Sequence, residues 1–349
     1  MAIARPGTPD RPGGNRLRVG LVGAGFIGRT HLAAWRSEGI DVVVFDVDET
    51  RSSSLAEPFG ASVAPTIEAL FAATDVVDIC TPTHLHAPVA IAAARAGRHI
   101  ICEKPLARTL ADGDAMLAAA GQAGVRLLVG QVVRFYPEYA AARQAVMAGA
   151  IGDPAVLRLT RANSRPPQPA DHWFFDHARS GGIILDLMIH DLDFARWVAG
   201  DVISVACRSA AFERPDGGVD HAVALLTHAS GAISHVSASW AYAPPTSRTA
   251  FEIAGSRGLI EQDSDRTAAV ERSLQDVGAS GRATSLADVA LGGDPFRLEL
   301  AEFARAIEDD VEPRTDGADA LETLRLALAA DESARSLGRT IRLEAGAAA

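Results

Sequence analysis

Little in the chain would take it out of a reducing, aqueous compartment. The three cysteines, Cys80, Cys102 and Cys207, are odd in number and widely spaced. They lack the spacing of a disulfide framework or a zinc site and suit a reducing cytoplasm. No apolar run reaches the ~18 residues that would suggest a membrane span. The start, Met1 to Asn15, holds Gly, Pro and Arg without an apolar core. Residues 1–16 therefore read as a disordered tail and not as a signal peptide. Basic runs with interleaved aromatics are missing, and a net charge of −11 gives no electrostatic reason to expect nucleic acid or an anionic membrane. Internal repeats and low-complexity segments are missing too. What the chain has is apolar material: 48% of 349 residues are hydrophobic, enough for two buried cores.

The most informative stretch begins with an apolar run, Leu17 to Val22, that reads as a buried strand. It passes straight into Gly23-x-Gly25-x-x-Gly28 and then a helical segment, Arg29 to Ser37. In a strand–turn–helix unit the first glycine allows the tight turn. The second lets a pyrophosphate approach the backbone, and the third lets helix and strand pack closely. Free N–H groups at the helix start favour phosphate charge. The next strand, Asp41 to Phe45, ends in Asp46, a carboxylate about 20 residues past the glycines, where a ribose hydroxyl needs an acceptor. Asp46 would repel a 2′-phosphate. Val47-Asp48-Glu49-Thr50 adds negative charge, and Arg51, the nearby cation, falls on the following helix, so NAD is favoured over NADP. Asp46 could also cap that helix, a role that would not exclude the ribose contact.

From Leu17 to about Gln131 short apolar runs alternate with helical stretches. Strands are expected at Arg18–Val22, Val42–Phe45, Val76–Ile79, His99–Ile101 and Leu127–Val129, with helices at Glu68–Ala73, Ala87–Ala96 and Leu110–Gln122. This alternation predicts a doubly wound parallel sheet. After Pro137 the pattern changes. Tyr139–Ala148 reads as a linking helix. Ala155–Arg161, Val202–Arg208, His221–Thr227, Gly231–Ala241 and Thr249–Ala254 read as one open, mostly antiparallel sheet, interrupted by a helix from Gly182 to Trp197. Asp263 to Asp294 is polar and reads as a loop. Helices Arg297–Ile307 and Ala318–Leu337 and a strand Thr340–Leu343 close the chain. The fold class is thus α/β, with a nucleotide domain at 17–137 and an α+β substrate or oligomerisation domain at 138–349.

Three clusters carry candidate chemistry. Cys80-Thr81-Pro82-Thr83-His84-Leu85-His86 follows a parallel strand, where loops line the ligand crevice. Its two histidines lack a third partner at metal-ligand spacing, so no metal is expected. Cys102-Glu103-Lys104-Pro105 follows the next strand; Lys104 there could neutralise an alkoxide or relay a proton, and Pro105 stiffens the turn or takes a cis bond. In Gly181-Gly182-Ile183-Ile184-Leu185-Asp186-Leu187-Met188-Ile189-His190-Asp191-Leu192-Asp193, a helix would set Asp186 and His190 one turn apart on a largely apolar face. Such a pair is either mutually satisfied or functional, and histidine is the natural base for a hydroxyl proton, with a carboxylate to stabilise its charged form. Gln131 and Arg134 fall on the nicotinamide side, Asn163, Asp171, His172 and Trp173 on a possible pocket, and Tyr242 on its wall.

Together these motifs resemble the Gfo/Idh/MocA oxidoreductases, the glucose–fructose oxidoreductase and inositol dehydrogenase group. The matching residues are the glycine turn, Asp46, Thr81-Pro82-Thr83-x-x-His86, Glu103-Lys104-Pro105, Gly181-Gly182 and Asp186-x-x-x-His190-Asp191-x-Asp193. Ala254-Gly255-Ser256-Arg257-Gly258-Leu259-Ile260 and Glu299-x-x-x-Phe303 match further on. The resemblance implies a Rossmann domain, NAD, and oxidation of a secondary hydroxyl of a cyclic polyol or sugar, with Lys104, Asp186 and His190 as the catalytic trio. Implied cofactor contacts are Gly23, Gly25, Phe26, Ile27, Gly28, Asp46, Thr81, Pro82, His86, Glu103, Lys104 and Gln131. Implied substrate contacts are Lys104, Arg134, Asn163, Trp173, Asp186 and His190. A homodimer or homotetramer follows from the same likeness. Phe174 stands where many relatives have an arginine after the tryptophan, which leaves the sugar open. Two other readings are an NAD-dependent glycoside hydrolase with transient redox and a non-catalytic NAD-sensing protein.

Overall fold

The structure, a computed structural model, describes residues 17–169, 171–212, 219–266, 271–274 and 293–344. The expected tail at 1–16, and 267–270 and 275–292 of the loop expected over Asp263–Asp294, lie outside the described residues.

Six parallel strands form the first sheet: β1 (Arg18–Val22), β2 (Asp41–Phe45), β3 (Ser62–Val63), β4 (Val76–Ile79), β5 (His99–Glu103) and β6 (Leu127–Gly130), in the order β3-β2-β1-β4-β5-β6. Helices α1 (Phe26–Ser37), α2 (Glu49–Ala56), α3 (Ile67–Ala73), α4 (His86–Arg95) and α5 (Leu110–Ala123) cover its faces. With both faces covered, the central strands are mostly apolar, as Val19, Leu21, Val77 and Ile79 illustrate at full burial, with Asp78 in β4 the charged exception. The strand order reverses between β1 and β4, which opens a crevice at their carboxyl ends. Helix α2 is the helix expected after Asp46, and it carries Arg51; two-residue β3 was not anticipated, since it is too short to show a periodic pattern.

The second sheet has eight strands: β7 (Pro154–Ser164), β8 (Val202–Phe212), β9 (Val219–His228), β10 (Ile233–Tyr242), β11 (Ser247–Gly255), β12 (Gly258–Asp263), β13 (Glu271–Leu274) and β14 (Ile341–Arg342). Their order is β13-β12-β11-β7-β10-β9-β8-β14; β7 and β10 run parallel and the other pairs antiparallel. Strand β13 falls inside the expected loop. Helix α6 (Pro137–Met147) leads from the first sheet to the second. Helices α7 (His177–Ser180), α8 (Ile189–Ala199), α9 (Pro295–Glu308) and α10 (Gly317–Arg335) complete the chain. Alternation along β9 and β10 buries Ala222, Ala224, Leu226 and Val236 on one face. It leaves Val223, Leu225 and Ile233 on the other, exposed at 43%, 52% and 49%.

The cores do not follow the chain order. α9 returns to the first sheet, where Leu300 and Phe303 share a core with Leu21, Leu32 and Trp35. The rings of Phe135 and Phe303 meet edge to face at 6.1 Å, and Arg297 of α9 bonds Glu38 just beyond α1 at 2.6 Å. A second departure concerns the expected helix Gly182–Trp197. Gly181 and Gly182 both hold positive φ (89° and 66°), which ends α7. The chain then makes one π-helical turn, Ile184–Met188, before α8 begins. Among the described residues no helix is long and apolar enough to cross a membrane.

Candidate active site

The glycine turn is built as its spacing demands. Gly23 has φ +107°, and its N–H donates to the Phe45 carbonyl at 2.9 Å. A Cβ on Gly28 would run into the Gly23 carbonyl oxygen, so α1 packs hard on the turn. Gly25 differs: a Cβ there would meet nothing within 4 Å. It is the N-cap of α1 and offers no side-chain oxygen to the first N–H groups of the helix. An open cradle in front of uncapped amides fits a pyrophosphate. Phe26 and Ile27 form the first turn of α1, with Phe26 strongly exposed. Asp46 sits at the mouth, its Oδ2 accepting from Ala24 N at 2.7 Å and its Oδ1 from Asp48 N at 2.9 Å. Each oxygen keeps a lone pair for a ribose hydroxyl. The cap of α2 is Asp48 and not Asp46, its side chain accepting from Thr50 and Arg51 N–H.

Further around the crevice, Thr81 after β4 and Gln131 after β6 each bury an oxygen (Oγ1 and Oε1) that has no partner. Buried polar groups are rarely left so unless something binds them. With the open glycine cradle, these orphaned oxygens fit a dinucleotide lying across the strand ends.

Across the crevice, Lys104 is brought to Asp186. Its Nζ donates to the Asp186 carbonyl at 2.7 Å and to Oδ1 at 3.1 Å, both side chains being largely buried. An ammonium has three donors, so one N–H remains for a ligand oxygen. Lys104 is also the sole lysine of the chain. The Lys104–Pro105 bond is cis. His190, in the first turn of α8, buries an Nδ1 without a partner. Burial, with the positive charges of Lys104 and Arg161 nearby, holds its imidazole well below the usual histidine pKa of 6.5. This corrects the expected Asp186–His190 pairing. The π turn aims Asp186 at Lys104, and His190 is kept neutral by cations instead of being charged by a carboxylate. For a catalytic base at His190 the acid limb of kcat/KM is expected below pH 6.5, because a base must be unprotonated and this imidazole is depressed; a pH–rate profile checks it.

Other expected contacts are otherwise engaged. His86 is buried, with Nδ1 2.9 Å from the Pro105 carbonyl and Nε2 3.0 Å from that of Thr81. It braces the loops after β4 and β5, and burial lowers its pKa. Pro82 is part of the loop after β4. Glu103 points away from the crevice, since alternation along β5 sends it beneath the strand end that presents Lys104. Arg134, 2% exposed, binds Asp193 through Nε and Nη2 at 2.8 and 2.7 Å, Asp319, and the Arg314 carbonyl at 2.6 Å. All three of its nitrogens have acceptors, so it clamps the region after β6 to α8 and α10. Asn163 meets Ser247 Oγ at 3.5 Å on β7, on the same face as Arg161. Trp173 stacks near His84 at 6.4 Å, and Phe174 packs on Trp240 at 5.4 Å.

Two buried networks went unread in the sequence. Arg161 of β7 binds Asp191 at 2.9 and 3.2 Å, fixing the first turn of α8 beneath His190. His31, Asp78, Glu103 and Glu299 cluster under the crevice. Asp78 was the available signal: a carboxylate inside the apolar strand Val76–Ile79 demands a buried partner. Among the described residues His31, Asp78 and Cys80 are the group of metal-type donors lying within 4.8 Å of one another. Burial and Asp78 push the Cys80 thiol up to about 12, and the His31 ring and the Cys80 thiol both contact the Asp78 carboxylate, at 3.0 and 3.7 Å.

Known proteins resemble the chain over most of its length. Residues 17–131 match the model of the oxidoreductase family with an NAD-binding Rossmann fold, and 139–261 match the GFO/IDH/MocA C-terminal domain. D-apiose dehydrogenase of Paraburkholderia graminis is 32% identical over 94% of this chain and 90% of its own. Myo-inositol 2-dehydrogenase of Thermotoga maritima is 31% identical over 94% and 99%. Among solved structures, levoglucosan dehydrogenase in complex with NADH and L-sorbose superposes with a TM-score of 0.85 at 27% identity, covering 94% of this chain and 99% of that one. The chain belongs to the GFO/IDH/MocA family and is an NAD-dependent oxidoreductase.

Proposed function

We propose that the protein oxidises a secondary hydroxyl of a cyclic polyol or sugar to a ketone. The carrying observation is the single ε-amine of the chain, fixed by Asp186 with one N–H free, beside a histidine held neutral. NAD, when bound along the glycine turn and Asp46, supplies the acceptor for the hydride. His190 takes the hydroxyl proton at Nε2, which makes no hydrogen bond among the described residues. Lys104 donates its free N–H to the same oxygen as negative charge develops there. Asp186 holds that ammonium through two contacts and so sets its position. Trp173 and Asn163 line the substrate side. The relatives support the substrate class, since they are named for apiose, myo-inositol and levoglucosan.

The test is NADH formation, followed by absorbance, against inositols, pentoses and hexoses. One clearly preferred substrate is expected. Sugar release without net NADH would mark a hydrolase, and tight NAD binding with no turnover anywhere would mark a sensor.

The chain divides functionally into a nucleotide part, 17–137, and a substrate and assembly part, 138–349, and works in the cytoplasm, where Cys80, Cys102 and Cys207 stay as free thiols. Its partner is a second copy, forming a dimer or tetramer through the open face of the second sheet, where Val223, Leu225 and Ile233 are bare. Leu225→Glu is expected to shift sedimentation toward the monomer while the circular dichroism stays native; an unchanged sedimentation coefficient would remove this face as the interface.

A further inference from the structure

Beneath Lys104 lies a chain of buried hydrogen bonds that touches neither cofactor nor substrate. The Lys104 backbone N–H donates to Glu103 Oε2 at 3.0 Å. Glu103 Oε1 takes a bond from His31 Nε2 at 3.1 Å, and His31 Nδ1 faces the Asp78 carboxylate at 3.0 Å. Asp78 also accepts from the Trp35 indole at 2.7 Å. His31 and Trp35 lie one turn apart on α1, the helix whose first turn carries the cofactor cradle. Burial opposes charge on His31, yet Asp78 raises its pKa well above the ordinary value, so an imidazolium bridges two carboxylates.

The α9 helix adds a third carboxyl. Glu299 is fully buried, and neither oxygen has a partner. Across the bare Cα of Gly130, a Cβ would stand 3.3 Å from Glu103 Oε1 and 3.6 Å from Glu299 Oε2. Glu103 has two donors and Glu299 has none. The proton therefore resides on Glu299, which burial and Glu103 hold well above the usual carboxyl range, and Glu103 is left free to accept at both oxygens.

We infer that Glu103 and His31 are positioning residues: they fasten the main chain of Lys104 to α1, so that one rigid frame sets both the cofactor turn and the only ε-amine. The inference rests on the catalytic reading of Lys104 for its consequence, but not for its geometry. Nothing in the cluster needs to reach the substrate. A displacement of about 1 Å at the ammonium is enough to cost up to ~10²-fold in rate.

The lone lysine provides the test. Protein labelled with 15N-lysine gives one backbone amide signal, that of Lys104. Glu103→Met, which removes both acceptors, is expected to move that signal upfield and to lower kcat by up to ~10²-fold, while the dissociation constant for NADH holds. Glu103→Gln should restore most of the turnover, because its amide oxygen still accepts from Lys104 and its NH2 donates to a neutral His31. An amide signal unmoved by Glu103→Met overturns the anchoring. A moved signal with full kcat overturns the positioning role, if Lys104→Ala still lowers turnover. Should Glu103→Met not fold, exchange of the native Lys104 amide into D2O decides: slow exchange together with a shifted signal in Glu103→Gln supports the anchor, and loop-like exchange overturns it. If Lys104→Ala keeps full turnover, the catalytic reading fails, and the amide signal still reports on the anchor separately.

Discussion

Lys104→Ala and His190→Ala are each expected to lower kcat by about 10²–10⁴-fold, or about 3–5 kcal/mol of barrier, with NADH affinity close to native. Neither change touches the glycine turn or Asp46, the residues proposed to hold the cofactor. The two losses have different causes. Without Lys104 the alkoxide forms with no ammonium to share its charge, and Asp186, held through Oδ1 at 3.1 Å, loses its partner. Without His190 the proton has no acceptor that is both buried and neutral. Because both act on one oxygen, the double variant should fall well short of the summed effects. Full turnover in either single variant, measured at saturating NAD and the preferred substrate, would sink the assignment. A change confined to KM would turn these residues into binding groups only.

How much of this was legible follows from range along the chain. The parallel strands read correctly, and the glycine turn and Asp46 could be nominated, because each is a local pattern: an apolar run, a turn chemistry, a helix start. Lys104 and His190 could be nominated for the same reason. What the sequence could not give was which side chain each would face. Asp186 and His190 at i and i+4 imply one face only in a regular helix, and the π turn at Ile184–Met188 breaks that premise. Nothing in Ile-Leu-Asp-Leu-Met marks a π turn over an α turn. Glu103 could have been placed by strand alternation, had β5 been extended by two residues from Ile101 to Glu103. His31 and Glu299 are harder. They meet only because α9, nearly 270 residues beyond α1, returns to the first core, and long-range packing leaves no local trace beyond a polar residue on an apolar helix face.

Arg134 is the residue whose expected and observed roles differ most, and Arg134→Met separates them. As a substrate contact it would change KM and leave stability alone. As placed, its guanidinium neutralises Asp193, whose side chain is 1% exposed, and its loss leaves that carboxylate with only the Thr323 hydroxyl at 2.9 Å. Breaking one side of a buried ion pair costs about 3–5 kcal/mol, a large share of the ~5–15 kcal/mol that holds a typical protein folded. The packing of Arg134 over Trp197, 5.5 Å from the ring centroid, is lost with it. A drop in melting temperature on the order of 5–10 °C is therefore expected, with KM for the preferred substrate unchanged in the fraction that remains folded. Adding Asp193→Leu should recover most of the loss, because an apolar pair in place of a buried ion pair is often neutral or better. Failure of that rescue would mean that Asp193 serves Thr323 and α10 independently of Arg134. A raised KM with native melting would restore Arg134 to the substrate pocket.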